Sequence, residues 1–218
     1  EKYGLIKTIP SGLEISRARP MISKNEFPLE LKEICCPPPD QAKSSRMSSA
    51  GIPIFYGANS TVTALKEIDS NNSYATVSNF KLLKPIEIID LTKIPKVPSF
   101  YAVNDEPLDR SELIFLNKLT KDLARPVIRD GKEHIDYVPT QIIAEYCRFK
   151  IKSNGSPIRG FKYSSIKNAN GICYALFFDG NNCGNFKKKN YFLYHDKQFL
   201  EMTPSSLKVI SNRHKKKL

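Results

Sequence analysis

Hydrophobic and polar positions change period several times along the chain, and each change marks an element. Leu13-Glu14-Ile15 followed by Arg17-Ala18-Arg19 reads as extended, so Arg17 and Arg19 share a face. Gly51 turns the chain into Ile52-Pro53-Ile54-Phe55-Tyr56, a short strand by its β-branched and aromatic content. Alternation puts Ile54, Tyr56 and Ala58 on one face and Phe55 and Gly57 on the other. Asn59 or Ser60 then caps a helix over 61–68, with Ala64, Ile68, Val62 and Leu65 on its apolar side. Strands are predicted over 74–80 and 84–91, followed by a connecting loop over 92–108 that carries Pro95, Pro98 and Pro107. Asp109 and Glu112 form a capping box for a helix reaching Arg125, with Leu113, Leu116, Leu119 and Leu123 as its apolar stripe. Pro126 stops it. A second helix follows Tyr137-Val138-Pro139-Thr140-Gln141, its apolar face formed by Ile142, Ile143, Tyr146 and Phe149. Asn154-Gly155 is a turn, Gly160 to Ser165 a strand ending in hydroxyls, and 171–178 a buried strand. A loop over 181–185 and edge strands over 191–194 and 207–210 complete the chain.

Strands and helices alternate without a regular βαβ rhythm, so the fold class is α+β. Neither GxGxxG after a strand nor GxxxxGK[ST] occurs, which disfavours the two common nucleotide-binding folds. The 218 residues, 40% of them hydrophobic, suit one well-filled domain over 1–218. Its core is expected over about 11–180, with 181–218 as a basic C-terminal extension. No apolar run approaches the ~20 residues that span a membrane, and the first residues lack the apolar stretch of a signal peptide. Cys35, Cys36, Cys147, Cys173 and Cys183 are odd in number and without CxxC spacing, and His134, His195 and His214 are scattered. This predicts neither a metal site nor a disulfide framework, and a reducing cytoplasm. The net charge of +12, partly in Lys187-Lys188-Lys189 and the tail from His214 to Lys217, fits solvated faces, an anionic nucleotide or a nucleic acid equally.

Candidate chemistry centres on RMSSAGIPIFYGANSTVTALKE, Arg46 to Glu67. It supplies a cation, a flat ring at a strand end and a carboxylate on the following helix. Those are the parts that hold a phosphate, a heteroaromatic base and a cationic sugar transition state. On local sequence alone the plainer reading is a surface Arg, a half-buried core Tyr and a solvated helix Glu. Arg17 and Arg19 on one face suggest a phosphate between them; the alternative is one Arg on a structural acid and one in solvent. Pro37-Pro38-Pro39 force an extended loop leading to Arg46, a lid or a rim.

Four pieces stand in order: ISRARP, RMSSAGIPIFYGA with TALKE, DYVPTQIIAEY, and GFKYSS followed by GICYALFF. Together, from about Ile15 to Phe178, they resemble the RES domain, named for its Arg, Glu and Ser, and most closely the subgroup in which RES follows a HEPN-type region. The start without Met fits a chain whose upstream region is absent. The sequence departs from the family pattern at Ser16, where an aromatic often stands, at Ser45 in place of Gly, and at Phe161 in place of Ile.

The resemblance implies an ADP-ribosyltransferase-like fold, a mixed or split β-sheet with flanking helices. It also implies a bacterial toxin, encoded with an antitoxin, that consumes NAD. The expected reaction breaks the nicotinamide–ribose bond as a phosphorylase or glycohydrolase. Transfer of ADP-ribose to a protein or nucleic acid is the alternative, and a non-enzymatic basic nucleic-acid binder the third reading. Carried over by motif, Glu67 favours the oxocarbenium-like ribose, and Ser165, with Ser164 in reserve, fixes the attack geometry. Arg17, Arg19 and Arg46 hold the pyrophosphate, and Tyr56 stacks on nicotinamide. Tyr137, Thr140 and Gln141 form a supporting helix start, and Tyr163 is core. NAD is the substrate, with inorganic phosphate as a possible acceptor and no metal cofactor. The expected partner is a cognate antitoxin or an inhibitory upstream domain, with no membrane.

Overall fold

The alternating segments pair, among the described residues, into one mixed sheet of eleven strands flanked by helices. The computed structural model describes residues 3–21, 23, 34–68, 73–99, 109–125, 131–184 and 198–211. The strands are β1 (Ile6–Ile9), β2 (Glu14–Met21), β3 (Phe55–Ala58), β4 (Tyr74–Leu82), β5 (Ile86–Asp90), β6 (Lys152–Ser153), β7 (Ser156–Ser164), β8 (Ile172–Leu176), β9 (Cys183–Gly184), β10 (Leu200–Met202) and β11 (Lys208–Ser211). The helices are α1 (Thr61–Glu67), α2 (Arg110–Ala124), α3 (Glu133–Asp136) and α4 (Val138–Lys150). The sheet runs β1-β5-β7-β8-β3-β2-β4-β10-β9, with β11 also on β4 and β6 on β7. Most pairs are antiparallel; β5 and β7 run parallel, as do β9 and β10. This is the α+β architecture expected.

The sheet divides between β2 and β3. Their register holds at one pair, Ser16 opposite Ala58, whereas β2 pairs with β4 over its full length. Beyond that pair, Arg17 and the residues after it part from β3.

Each face carries its own core. Ile15, Phe55, Phe80, Tyr174, Leu176 and Phe178 belong to one cluster. Ile54, Phe161, Ala175 and Phe177 belong to the other, which the buried Leu119 and Leu123 of α2 and Ala144 and Cys147 of α4 complete. The Ile54–Tyr56 alternation read from the sequence is therefore observed: Phe55 lies opposite Leu176, and Tyr56 opposite Ala175.

Local chemistry sets the element ends. Ser60 caps α1 by accepting from Thr63 N, and Asp109 caps α2 by accepting from Ser111 N and Glu112 N. Asn154 and Gly155 both take positive φ and close the tight β6–β7 turn.

Three expectations change. The predicted apolar face of α4 is largely outside: Ile142, Tyr146 and Phe149 are 63%, 60% and 65% exposed, and only Ile143 packs at the core edge. The buried face is Thr140, Gln141, Ala144 and Cys147, because small side chains fit closely against the sheet and Gln141 binds a polar loop. Cys35 and Cys183, 148 positions apart, form a disulfide that no local spacing announces. Residues expected in a basic extension contribute β9 and β10 to the sheet, while the edge strand expected over 207–210 is observed as β11 on β4. The predicted strand over 191–194, the Lys187–Lys189 run, the tail from 214 and Pro126 lie outside the described residues. Among the described residues, no helix is long and apolar enough to cross a membrane.

Candidate active site

Glu67 closes α1, and Ser165 follows the last residue of β7. The two meet: Ser165 Oγ donates to Glu67 Oε1 at 2.5 Å, the short range of a hydroxyl bound to a carboxylate. Ser165 Oγ also accepts from Asn168 N at 3.0 Å, and Ser165 N donates to Gly171 O at 2.8 Å. The loop from Ser165 to Gly171 is thus folded back on α1. Asn168 Nδ2 donates to Thr63 Oγ1 and Lys167 Nζ to the Glu67 carbonyl, pinning it there. A Cβ at Gly171 would lie 2.7 Å from Thr63 Cγ2 and 2.9 Å from Asn168 O, so the loop packs this closely only with glycine.

Beneath the carboxylate lie Cys173 and Tyr163, which face each other across β8 and β7. Cys173 Sγ is 3.5 Å from Glu67 Oε1. Its pKa is raised well beyond the usual thiol range, by burial first and by Glu67 second. Tyr163 stays a neutral phenol: burial raises its pKa, and Cys173, Tyr56 and Glu67 add to that. Tyr163 packs at the edge of the helical-side core, as the sequence reading has it, yet it also senses Glu67 and Tyr56.

Tyr56 stands on the same face. Its phenol and Ser45 Oγ are 2.6 Å apart. Burial raises the Tyr56 pKa, against the opposing effect of bonds to Ser45 and Ser48 and the charge of Arg17. The loop carrying Ser45 is held by Gln141 of α4, whose Nε2 donates to Ser44 Oγ, Ser45 O and Ser48 O. Sequence reasoning saw a supporting helix start here; the structure assigns the support to Gln141.

Arg46, in the same loop, lies over the Tyr137 ring at 4.8 Å, with Nε on Arg125 O at 2.8 Å. It is directed to the helices. Arg17 is placed differently. Its guanidinium packs on Phe55 at 5.1 Å, on the sheet face opposite the Glu67–Cys173 contact. Arg17 Nη1 donates to Tyr56 O at 2.6 Å, where the β2–β3 ladder has ended, and Nε donates to Ile34 O at 2.7 Å. Burial lowers its pKa, Cys36 and Tyr56 partly offset this, and Arg19 adds to the lowering. Among the described residues no carboxylate is paired with Arg17. Arg19 is half-buried two residues further along β2, and Ser164 is exposed at the end of β7.

The structure therefore brings Glu67, Ser165 and Tyr56 to one side of β3. Arg17 reaches that strand from the other side, at the split. Cys173, Tyr163 and Asn168 surround the group and were not singled out for it from the sequence, whereas Gln141 was read as part of a supporting helix start. Cys173 and Tyr163 looked like core, and nothing local to Asn168 marks it.

The RES domain family pattern matches residues 35–195. No curated protein matches the chain, and no solved structure does. Arg46, Tyr56, Glu67, Ser164 and Ser165 fall inside the matched span, and Arg17 and Arg19 precede it. That span covers most of the chain and contains the whole Glu67–Ser165 contact, so the protein belongs to the RES domain family.

Proposed function

We propose that the protein cleaves the nicotinamide–ribose bond of NAD and passes the ADP-ribosyl group to phosphate or water. Membership of the RES domain family supports an NAD-acting, toxin-like role in general. The observation that carries the finer reading is the Ser165–Glu67 hydrogen bond, set beside two neutral phenols.

The chemistry asks for a group of this kind. The nicotinamide is already cationic, so it leaves with the C1′–N electron pair and needs no strong acid. The barrier is the oxocarbenium-like ribose, and a carboxylate against the ribose hydroxyls favours that charge, as in glycoside hydrolysis. Glu67 is that carboxylate. Ser165 donates to Oε1 and is itself held by Asn168 N, so it aims the carboxylate. Tyr56 offers its ring to the nicotinamide, and Arg17 at the β2–β3 split takes the phosphates, with Arg46 joining it by turning from its Tyr137 and Arg125 contacts. A phosphate or water oxygen then forms the new C1′–O bond, water giving up its proton to bulk solvent. NAD is the substrate and the scheme calls for no metal.

A toxin-like activity in the cytoplasm also needs restraint, by a cognate antitoxin or an upstream region. An acidic partner would complement the +12 charge.

The test is mass-spectrometric product analysis of NAD incubated with the protein, with and without phosphate. ADP-ribose, or its phosphate when phosphate is present, supports the reading. Label from NAD retained on a macromolecule would replace it with ADP-ribosyl transfer. NAD unchanged over hours, with steeply salt-dependent RNA binding, would replace it with nucleic-acid binding.

A further inference from the structure

Three cysteine sulfurs meet on the sheet face opposite Glu67. Cys35, Cys36 and Cys183 have Sγ atoms all within 4.8 Å of one another, and all three side chains are buried. Cys35 is bonded to Cys183, and Cys36 keeps a free thiol that donates to Phe178 O at 3.2 Å. Cys183 is the least buried of the three and sits on β9, the last strand of the sheet order.

This cluster adjoins Arg17. Ile34, next to Cys35, supplies the carbonyl that takes Arg17 Nε. Pro37-Pro38-Pro39 follow Cys36 and stiffen the chain towards the serine loop that holds Tyr56. The disulfide therefore ties to the far edge of the sheet the very segment that positions Arg17.

We propose that Cys35–Cys183 is a redox-sensitive crosslink that tunes how Arg17 presents its guanidinium to an anionic substrate. With the bond intact, Ile34 O and Tyr56 O together hold Arg17 at the β2–β3 split. A dithiol reductant opens the bond from the Cys183 side. Its thiolate attacks Cys183 Sγ and displaces the Cys35 thiolate, which takes up a proton. Its second thiol resolves the mixed disulfide, leaving Cys183 as a thiol and the reductant as a disulfide. The protein gains two electrons and two protons, and the dithiol loses them. Freed from β9, the 34–36 segment no longer fixes Ile34 O against Arg17. Cys36 does not substitute as the attacking sulfur, because burial pushes its thiol up to about 12 and keeps it protonated.

The proposal rests on the NAD reading for its ligand, and the experiment separates the two. The whole chain is equilibrated in oxidised and in reduced dithiothreitol. Alkylation and peptide mapping then locate the crosslink, and NAD turnover and amide hydrogen exchange over 34–42 are measured in each state. The expected results are a Cys35–Cys183 peptide in the oxidised state and faster exchange after reduction. KM for NAD should rise about tenfold on reduction, the effect of loosening one hydrogen bond to a charged group, with kcat within about twofold. Cys183→Ser should behave as the reduced protein in both buffers. A crosslink through Cys36, no crosslink, or equal KM in the two states overturns the proposal. If neither state consumes NAD, the functional reading fails. Hydrogen exchange then decides this one alone: slower exchange over 34–42 in the oxidised protein sustains the crosslink, and equal exchange refutes it.

Discussion

Ser165 Oγ donates to Glu67 Oε1 across 2.5 Å, joining residues 98 positions apart through a loop folded over a short helix. The bond orients one carboxylate oxygen, Oε1.

Glu67→Gln keeps the size of the side chain and removes its charge. In the proposed reaction the charge acts on the cationic sugar in the transition state, so kcat should fall by ~10²–10³ while KM changes little. Ser165→Ala should also lower kcat, by less, since the carboxylate remains but is no longer aimed. Steady-state NAD kinetics of the two variants check this, and equal losses in KM and none in kcat would refute it.

Arg17 is held by two carbonyls and an aromatic face, and no carboxylate among the described residues neutralises it. Arg17→Lys keeps a charge but not the planar fork. KM for NAD should rise about tenfold, with kcat nearly unchanged. Arg17→Met leaves the Ile34 and Tyr56 carbonyls without their donor, and each should cost about 1–3 kcal/mol of stability. Urea unfolding of the two variants separates substrate binding from scaffolding.

Gly171 is where the site loop touches α1. Gly171→Ala places a methyl against Thr63 Cγ2, Asn168 O and Ser165 Cβ at 2.7–3.0 Å. The loop must shift, at about 1–3 kcal/mol, and Ser165 moves with it. Stability and kcat should fall together; Ser165→Ala leaves Asn168 N without its acceptor and should also cost stability, but without the backbone shift that Gly171→Ala forces.

Asp90 bonds Lys162 Nζ at 2.7 Å, both side chains being mostly buried. Burial opposes its ionisation, but the bonds from Lys162 and Thr92 outweigh burial and hold its pKa below the ordinary carboxylate value. A lowered folded-state pKa contributes stability above the unfolded value of ~3.9, and that stability is lost as pH falls through the folded value. Asp90→Asn should therefore be less stable at pH 7, with the gap narrowing as pH falls below the unfolded value of ~3.9. Denaturation midpoints at pH 7 and pH 3 test the sign; a constant gap would show that the pair's charge is not the cause.

Periodicity and caps, which act within a few residues, were legible before any coordinates. The alternation of Ile54, Phe55 and Tyr56, the Ser60 cap and the Asp109 cap follow from near neighbours. The serine–tyrosine–glutamate motif residues could be named too, because the RES pattern is carried in order along the chain.

Contacts between distant segments had no such local signature. Hydropathy alone placed the inward face of α4 on Ile142, Tyr146 and Phe149, whereas close packing on the sheet selected Ala144 and Cys147 and the serine loop selected Gln141. The Cys35–Cys183 bond, the Asn168 brace and the side of β3 from which Arg17 approaches depend on where the sheet divides. Local chemistry determines which segments become strands and helices. Only the simultaneous burial of both sheet faces decides which of their side chains meet, since that choice minimises exposed apolar area and unpaired polar groups across the whole chain at once.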